Sequence, residues 1–349
     1  MKKLNLLIVF GGTSSERSVS VWSANNIIKA IDLKRYNLSL VFIDKFGTWY
    51  SIDNSIEIDQ KNTEKKLKIF DESYLILKDK KGGLLNMKKH TIKPIDVCFP
   101  VLHGINGEDG TIQGLLQLYN IKFVGCGVLG SSINMDKIVE KKVLKADDIK
   151  ITDFLYFRKE QLKDIKFSFV KKQLGMPVFI KPSNGGSSIG SNKVDNEKQF
   201  KFAIKEAFKY DNKIIIEKFI NGREVECSVL GNDNPKASLI GEVVSGEKFY
   251  SYLDKYVKAD GAQLIAPAKL SKEQIKKIQD TALKAYKSLE CRGFARVDMF
   301  LTSNDEVYLN EINTIPGFTN ISMYPRLWGV SGLSYADLID KLIQLALEA

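Results

Sequence analysis

The chain opens its pattern with Leu4–Phe10, a nearly unbroken apolar run followed at once by Gly11-Gly12. Such a run, too short to span a membrane, predicts a strand buried on both faces. Apolar positions then recur at helical spacing from about Ser18 to Ile31. Further runs at Leu38–Ile43, Ile95–Leu102 and Lys122–Val124 predict strands, and Thr111–Tyr119 predicts a helix. Strand, helix, strand, strand, helix, strand in this order predicts a parallel sheet with helices on its faces. The stretch Ser51–Lys93 is weakly patterned and predicts short strands and one exposed helix.

Beyond Gly125 the character changes. Helices are predicted at Asn134–Ala146, Glu197–Lys209, Ser271–Leu289 and Tyr335–Leu347. Strands are predicted at Val178–Lys181, Asn192–Val194, Lys213–Phe219, Val225–Leu230 and Ala237–Val244, with a hairpin at Phe294–Leu301 and Glu306–Ile312. No linker rich in Pro, Ser or Gly separates these stretches. Three interlocked units are expected, 1–125, 126–218 and 219–349: one parallel α/β domain and two α+β lobes.

Composition narrows the chemistry. The chain's 349 residues are too many for one compact core. Its 52 Lys+Arg against 42 Asp+Glu leave a net charge of +10. The lysine-rich stretches Lys61–Lys68, Lys78–Lys81 and Met87–His90 mix with acids or turn residues and lack interleaved aromatics. They predict a solvated rim and no nucleic-acid partner. No apolar run approaches the roughly 20 residues of a membrane span. The start, Met1–Phe10, mimics a signal peptide, but no small-residue cleavage site follows, so a cytoplasmic chain is expected. Four scattered cysteines without a Cys-x-x-Cys point to reduced thiols, and two histidines leave almost no material for a histidine-based metal centre.

The hairpin carries the most informative chemistry. A two-residue turn at Asn304-Asp305 sets Asp298 opposite Glu311 and Arg296 opposite Asn313. Opposed residues share a face, with Cβ atoms about 4.5–5.5 Å apart. Two carboxylates this close repel unless a cation lies between them, and a hard divalent ion such as magnesium suits an all-oxygen set that includes Asn313. A bare surface ion pair of Arg296 would not need the second carboxylate across the ladder. Asn310 should point away from Glu311 and is not counted as a ligand.

The segment Lys181–Gly190 has the composition of a phosphate cradle. Gly185, Gly186 and Gly190 free the backbone, Ser187 and Ser188 add hydroxyls, and Lys181 adds charge. It is not a Walker A loop, since no Gly-Lys-Ser/Thr ends it and a strand follows. A plain hairpin loop has the same composition. With the acidic hairpin, both halves of a magnesium–triphosphate site are present. Gly11–Glu16 after the first strand is no G-x-G-x-x-G, although its helix start can meet a carboxylate or phosphate.

Taken in order, Gly11–Ser20, His103–Gly110, Met135-Asp136-Lys137, the Gly185–Gly190 flap, Tyr252–Tyr256, Arg296-Val297-Asp298, Asn310–Asn313 and Pro316–Met323 resemble the D-alanine–D-alanine ligases of the ATP-grasp superfamily along essentially the whole chain. The resemblance implies an ATP-grasp fold with ATP between the second and third units. Lys137 and Lys181 would contact its phosphates, with Ser188 in the flap and Lys255 reaching over the closed site. The strand Ile215–Phe219, with Lys218, would border adenine, and Glu217 and Glu224 would be adenine and ribose partners. Asp298, Glu311 and Asn313 would hold two magnesium ions, or manganese. Glu16, Ser187 and Tyr256 would form a hydrogen-bonded set that closes the site. His103 would lie near the first D-alanine, Arg296 and the Gly317 amide would face the oxyanion, and Ser322 and Met323 the second carboxylate. The implied reaction runs through an acyl phosphate to D-alanyl-D-alanine for peptidoglycan. A D-alanine–D-lactate ligase on the same scaffold is the alternative, and tyrosine rather than phenylalanine at position 256 goes with the dipeptide. A homodimer is also implied.

Overall fold

The computed structural model describes residues 3–52, 71–78, 81–245 and 262–348. Its first unit runs β1 (Leu4–Gly11), α1 (Arg17–Ala30), β2 (Tyr36–Ile43), β3 (Trp49–Ile52), β4 (Ser73–Lys78), β5 (Lys81–Asn86), β6 (Thr91–Pro94), β7 (Val97–Val101), α2 (Thr111–Leu118) and β8 (Lys122–Phe123). The main sheet has the order β3-β2-β1-β7-β8. β1 is parallel to both β2 and β7, and β7 to β8, while β3 is antiparallel. β1 and β7 are apolar on both faces because helices cover both, and Leu7, Ile8, Val9 and Phe99 are fully buried.

The chain leaves β1 toward β2 on one side and returns to β7 on the other. The carboxyl ends of β1 and β7 therefore flank the point where the strand order reverses, where open α/β sheets bind ligands. The loops bearing Glu16 and His103 start there. Between β3 and β7, β4-β5-β6 form a separate antiparallel sheet. Among the described residues of 51–93 the expected exposed helix does not occur.

The second unit holds α3 (Val128–Met135), α4 (Lys137–Ala146), β9 (Phe154–Arg158), α5 (Phe167–Leu174), β10 (Val178–Pro182), β11 (Asn192–Val194), α6 (Glu197–Tyr210) and β12 (Lys213–Lys218). Its sheet has the order β11-β10-β12-β9, antiparallel throughout. The single helix expected over 134–146 is two, broken at Asp136. That carboxylate accepts from the Ile138 and Val139 amides at 3.1 and 3.3 Å and so begins a new helix at Lys137.

The third unit holds β13 (Arg223–Leu230), β14 (Lys236–Ser245), β15 (Ala262–Ile265), α7 (Lys272–Ser288), β16 (Phe294–Leu301), β17 (Val307–Asn313), α8 (Met323–Val330) and α9 (Tyr335–Glu348). The antiparallel order is β15-β14-β13-β16-β17. Along β13 the apolar set Val225, Cys227 and Val229 faces Ile278, Ala282 and Tyr286 of α7, which leaves Glu224, Glu226 and Ser228 on the opposite face. Ser271 caps α7, accepting from the Gln274 amide at 3.2 Å. The last helix, α9, buries Leu338, Leu342 and Ile343 in one cluster with Phe10, Phe99 and Val101, so the chain's end packs on its first sheet. Among the described residues no helix is long and apolar enough to cross a membrane.

Candidate active site

A cleft of about 670 Å³ lies between the β10–β12 sheet with its glycine-rich loop and the β13–β17 sheet. One wall is the β16–β17 ribbon. Asp298 pairs with Glu311 and Arg296 with Asn313, as the sequence predicts, but by another route. The turn has three residues, not two. Thr302 donates to the Glu306 carbonyl at 3.0 Å, Asp305 donates to the Thr302 carbonyl at 3.1 Å, and Asp305 is left-handed with φ 58°. From Leu301↔Val307 to Met299↔Leu309 the register is one residue off that expected. Asn310 is then an extra residue, a β-bulge, after which Glu311 meets Asp298. The two departures cancel. The bulge also breaks the alternation of faces, so that Asn310 and Glu311 both line the cleft; Asn310 does not point away as expected.

Asp298 is nearly buried, and Arg296 grips it with a two-pronged fork, Nε to Oδ1 and Nη2 to Oδ2, each 2.7 Å. Asn313 donates to Asp298 Oδ2 at 3.0 Å. Glu226, opposite Asp298 on β13, lies 3.2 Å from Arg296 Nε through its Oε2. Glu311 keeps 29% of its side chain exposed and lies 3.3 Å from Lys137 Nζ. Asp298, Glu311 and Asn313 thus lie across one ladder, with cationic groups on both flanks; the Asn313 amide turns its nitrogen to Asp298.

The floor is a lysine pair. Lys181 on β10 lies 2.7 Å from Glu217 Oε2, and Lys141 on α4 lies 2.8 Å from Oε1. Burial by itself would raise the Glu217 carboxyl; the two ammonium groups overcome it and hold the group down at about 2. Burial likewise works against the Lys181 ammonium, yet Glu217 and then Glu311 keep it above its ordinary value. Glu217 therefore enters the cleft as the counter-ion of Lys181. Lys137, the first residue of α4, donates to the Gly185 carbonyl at 2.7 Å and so ties the helix to the loop. Lys218 and Glu224 also line the cleft.

The loop between β10 and β11 closes toward the first unit. Ser187 and Ser188 are both left-handed, with φ 55° and 58°, a conformation side chains seldom adopt. It aims the Ser187 hydroxyl at Glu16 Oε1, to which it donates. Glu16 ends the β1 loop just before α1 and is buried. A Cβ at Gly104, where φ is +75°, would lie 2.6 Å from Glu16 Oε2, so only glycine lets the His103 loop come this close.

His103 is buried. Its Nδ1–H donates to the Ile315 carbonyl at 2.9 Å, and Nε2 accepts from the Ser23 hydroxyl at 3.3 Å, the tautomer these partners require. Burial lowers its pKa to about 4; the Ile315 bond opposes this and Arg296 adds to it. The ring is neutral and joins the β7 loop to 315–318. At the far end, Ser322 begins α8, and its hydroxyl accepts from the Thr319 amide at 2.9 Å. Gly317, Ser322 and Met323 line the cleft at the amino end of α8.

Lys255 and Tyr256 lie outside the described residues. Among the described residues, no three of His, Cys, Asp and Glu form a group fit for a metal; the candidate set depends on the amide of Asn313. The sequence reading passed over four acids and bases that matter here: Glu108, Glu140, Lys141 and Glu226. Glu108 lies inside the His103–Gly110 motif and accepts from the Gly104 amide at 2.8 Å. Burial, and then the charge of Glu16, push its carboxyl up to about 8. Glu226 was legible as the polar alternate of Glu224 on β13, but its partner across the sheet was not.

The chain is similar in sequence and shape to known D-alanine ligases. A family profile described as D-ala D-ala ligase N-terminus matches residues 5–126, and one described as D-ala D-ala ligase C-terminus matches 143–344. A D-alanine–D-alanine ligase of Oceanobacillus iheyensis is 47% identical over 98% of this chain and 94% of its own. D-alanine–D-alanine ligase A of Escherichia coli K12 is 45% identical over 100% of this chain and 97% of its own. Among solved structures, the D-alanine-D-alanine ligase from Coxiella burnetii superposes with a TM-score of 0.87 at 36% identity, over 100% and 95% of the two chains. The VanG D-Ala:D-Ser ligase from Enterococcus faecalis gives 0.90 at 35% identity, over 99% and 100%.

Proposed function

The chain belongs to the D-alanine–D-alanine ligase family, has its ATP-grasp fold and joins two D-alanines with ATP for cell-wall synthesis; we propose that its cleft divides this work among three groups of side chains. In the first, Glu16 receives the ammonium of the first D-alanine, with Ser187 fixing the carboxylate and the His103 loop behind it. In the second, Lys137 and Lys181 draw the ATP phosphates to the cleft floor, where Lys218, Glu224 and the Ser188 amide and hydroxyl complete the nucleotide contacts. The third is the ribbon. Arg296 and the Gly317 amide face the oxyanion that develops when the second amine attacks, and Ser322 and Met323 at the start of α8 hold the second carboxylate.

The donor set fits a divalent ion. Asp298, Glu311 and Asn313 supply oxygens alone, as magnesium or manganese prefers, and Glu311 opens into the cleft. Bound there, a pair of such ions would neutralise the charge of the transferring phosphoryl group. The first D-alanine's carboxylate oxygen bonds to the γ-phosphorus as the bond to ADP breaks. The second amine then bonds to that carbonyl carbon, loses its proton and expels phosphate. Water must be kept from the acyl phosphate meanwhile, which is the work of the flap seated on Glu16. The resemblance gives Tyr256 and Lys255 parts in this closure. It also supports a homodimer, which light scattering tests, and a cytoplasmic site of action, which cell fractionation tests.

The observation that carries this reading is the pairing of Asp298 with Glu311 on a face that also receives Lys137. Phosphate release across D-alanine, D-serine and D-lactate, with product mass read directly, tests it. D-Alanyl-D-alanine as the main product at neutral pH is expected; a product from D-lactate but none from D-alanine as second substrate would overturn it.

A further inference from the structure

We propose that Glu140, with Lys141 beside it, is a positioning residue that holds Glu311 in place by gripping the backbone on either side of it. β17 is the outer strand of its sheet, and the bulge at Asn310 interrupts the ladder immediately before Glu311. Backbone groups on an outer edge lack a neighbouring strand, here except at Leu309, whose amide donates to the Lys150 carbonyl at 2.8 Å, and a bulge disrupts the ladder locally. Here α4 supplies the missing partners. The Ile312 amide donates to Glu140 Oε1 at 2.8 Å, and Lys141 Nζ donates to the Asn310 carbonyl at 3.1 Å. The residues before and after Glu311 are thus clamped by adjacent residues of one helix. Lys137, one turn earlier on that helix, meets the Glu311 carboxylate itself.

Glu140 is 0% exposed, and its Oε2 has no hydrogen-bond partner. A carboxyl buried with one oxygen unsatisfied destabilises the fold relative to an apolar side chain of the same size. What it gives in return is the one bond to Ile312, and that bond fixes the peptide that orients Glu311. Lys141, 1% exposed, spans from the Asn310 carbonyl to Glu217, so the same helix sets the distance between the ribbon and the lysine floor.

The inference rests on Glu311 being a metal ligand, so the test includes that residue. The full chain is titrated with Mn2+ in the presence of a non-hydrolysable ATP analogue, free Mn2+ being counted by its electron paramagnetic resonance signal. Glu140→Leu is expected to weaken Mn2+ uptake about tenfold, the lower end of what loss of a ligand-orienting partner does. Glu140→Gln, whose amide oxygen still accepts from Ile312, is expected to stay within about twofold of the unaltered chain. Should Glu140→Leu not fold, Glu140→Asp, one methylene too short to reach the amide, is expected to weaken uptake about threefold. Uptake unchanged in a folded Glu140→Leu or Glu140→Asp chain, or Glu140→Gln as weak as Glu140→Leu, overturns the proposal while Glu311→Gln still abolishes uptake. If Glu311→Gln binds Mn2+ as the unaltered chain does, the ligand assignment fails and this inference falls with it.

Discussion

The acidic ribbon and the glycine-rich flap reach the same cleft from two different sheets, and they are held by different means. In the ribbon the charged side chains that face the cleft, Arg296, Asp298 and Glu311, sit on paired strands. Asp298 is fixed by the Arg296 fork, Asn313 and its place opposite Glu311. The flap has no ladder at its tip. Its shape rests on two left-handed serines and on contacts to other elements, Ser187 to Glu16 and Gly185 to Lys137. A site made this way has one rigid half that stores charge and one half that closes by local bonds. In the function proposed above, ion chemistry falls to the ribbon and substrate enclosure to the flap.

Substitutions on the two halves should separate those duties. Glu311→Gln removes a charge the ladder holds in place; phosphate release should fall about 10³-fold, the scale of losing a group that stabilises transition-state charge. Activity within a factor of a few of the unaltered chain would break the division at its stronger half. Lys181→Met removes the floor's charge and frees Glu217 from one partner; kcat should fall about 10²-fold with a higher KM for ATP. A change confined to the KM for D-alanine would move Lys181 to the enclosure side.

Ser187→Ala cuts the flap from Glu16 and leaves every ribbon contact intact. An effect of about tenfold, mostly in the KM for D-alanine and in water-driven ATP hydrolysis, is expected for the loss of one charge-assisted hydrogen bond. Mn2+ binding that weakened as much as in Glu311→Gln would show the two halves to be one. A last effect is on stability. His103 has a folded pKa of about 4 against an ordinary 6.5, so on acidification the unfolded chain takes up the proton first. Stability from this group is thus complete above about pH 6.5 and falls as pH drops, by about 2 kcal/mol from about pH 7 to about pH 5. Urea unfolding of the unaltered chain and His103→Asn at both pH values reads the difference; equal pH slopes would show that the ring is not held neutral. Glu108, pushed up, has the opposite sign and cancels in the comparison.

Much of the scaffold was legible because its signals are local. Continuous apolar runs marked β1 and β7, and the alternation of Val225, Cys227 and Val229 marked a sheet with one face on the core. Asp136, a strong helix-starting residue, was equally visible in the sequence but was passed over inside a longer helical pattern. The amphipathic pattern also left out α5 and α8, each only eight residues long. The ribbon's pairing came out right through two compensating errors, a turn one residue too short and an unseen bulge, which shows how little a turn dipeptide says about register. Glu140 and Lys141 read as an ordinary charged helix face, because nothing in their neighbourhood along the chain reveals that β17 lies against them.

What the chain determined alone was the alternation of strand and helix, the chemistry carried by its loops, and membership of a family through the order of its motifs. These follow from side-chain size, polarity and backbone preference over a few residues. Which carboxyl is stripped of water and which lysine meets Glu217 depended on segments far apart along the chain, in a fold whose hydrogen bonds join residues up to 308 positions apart, as from Gln344 to Tyr36. Electrostatic strength inside a protein is set by distance and by exclusion of water, and both exist only once distant segments have packed.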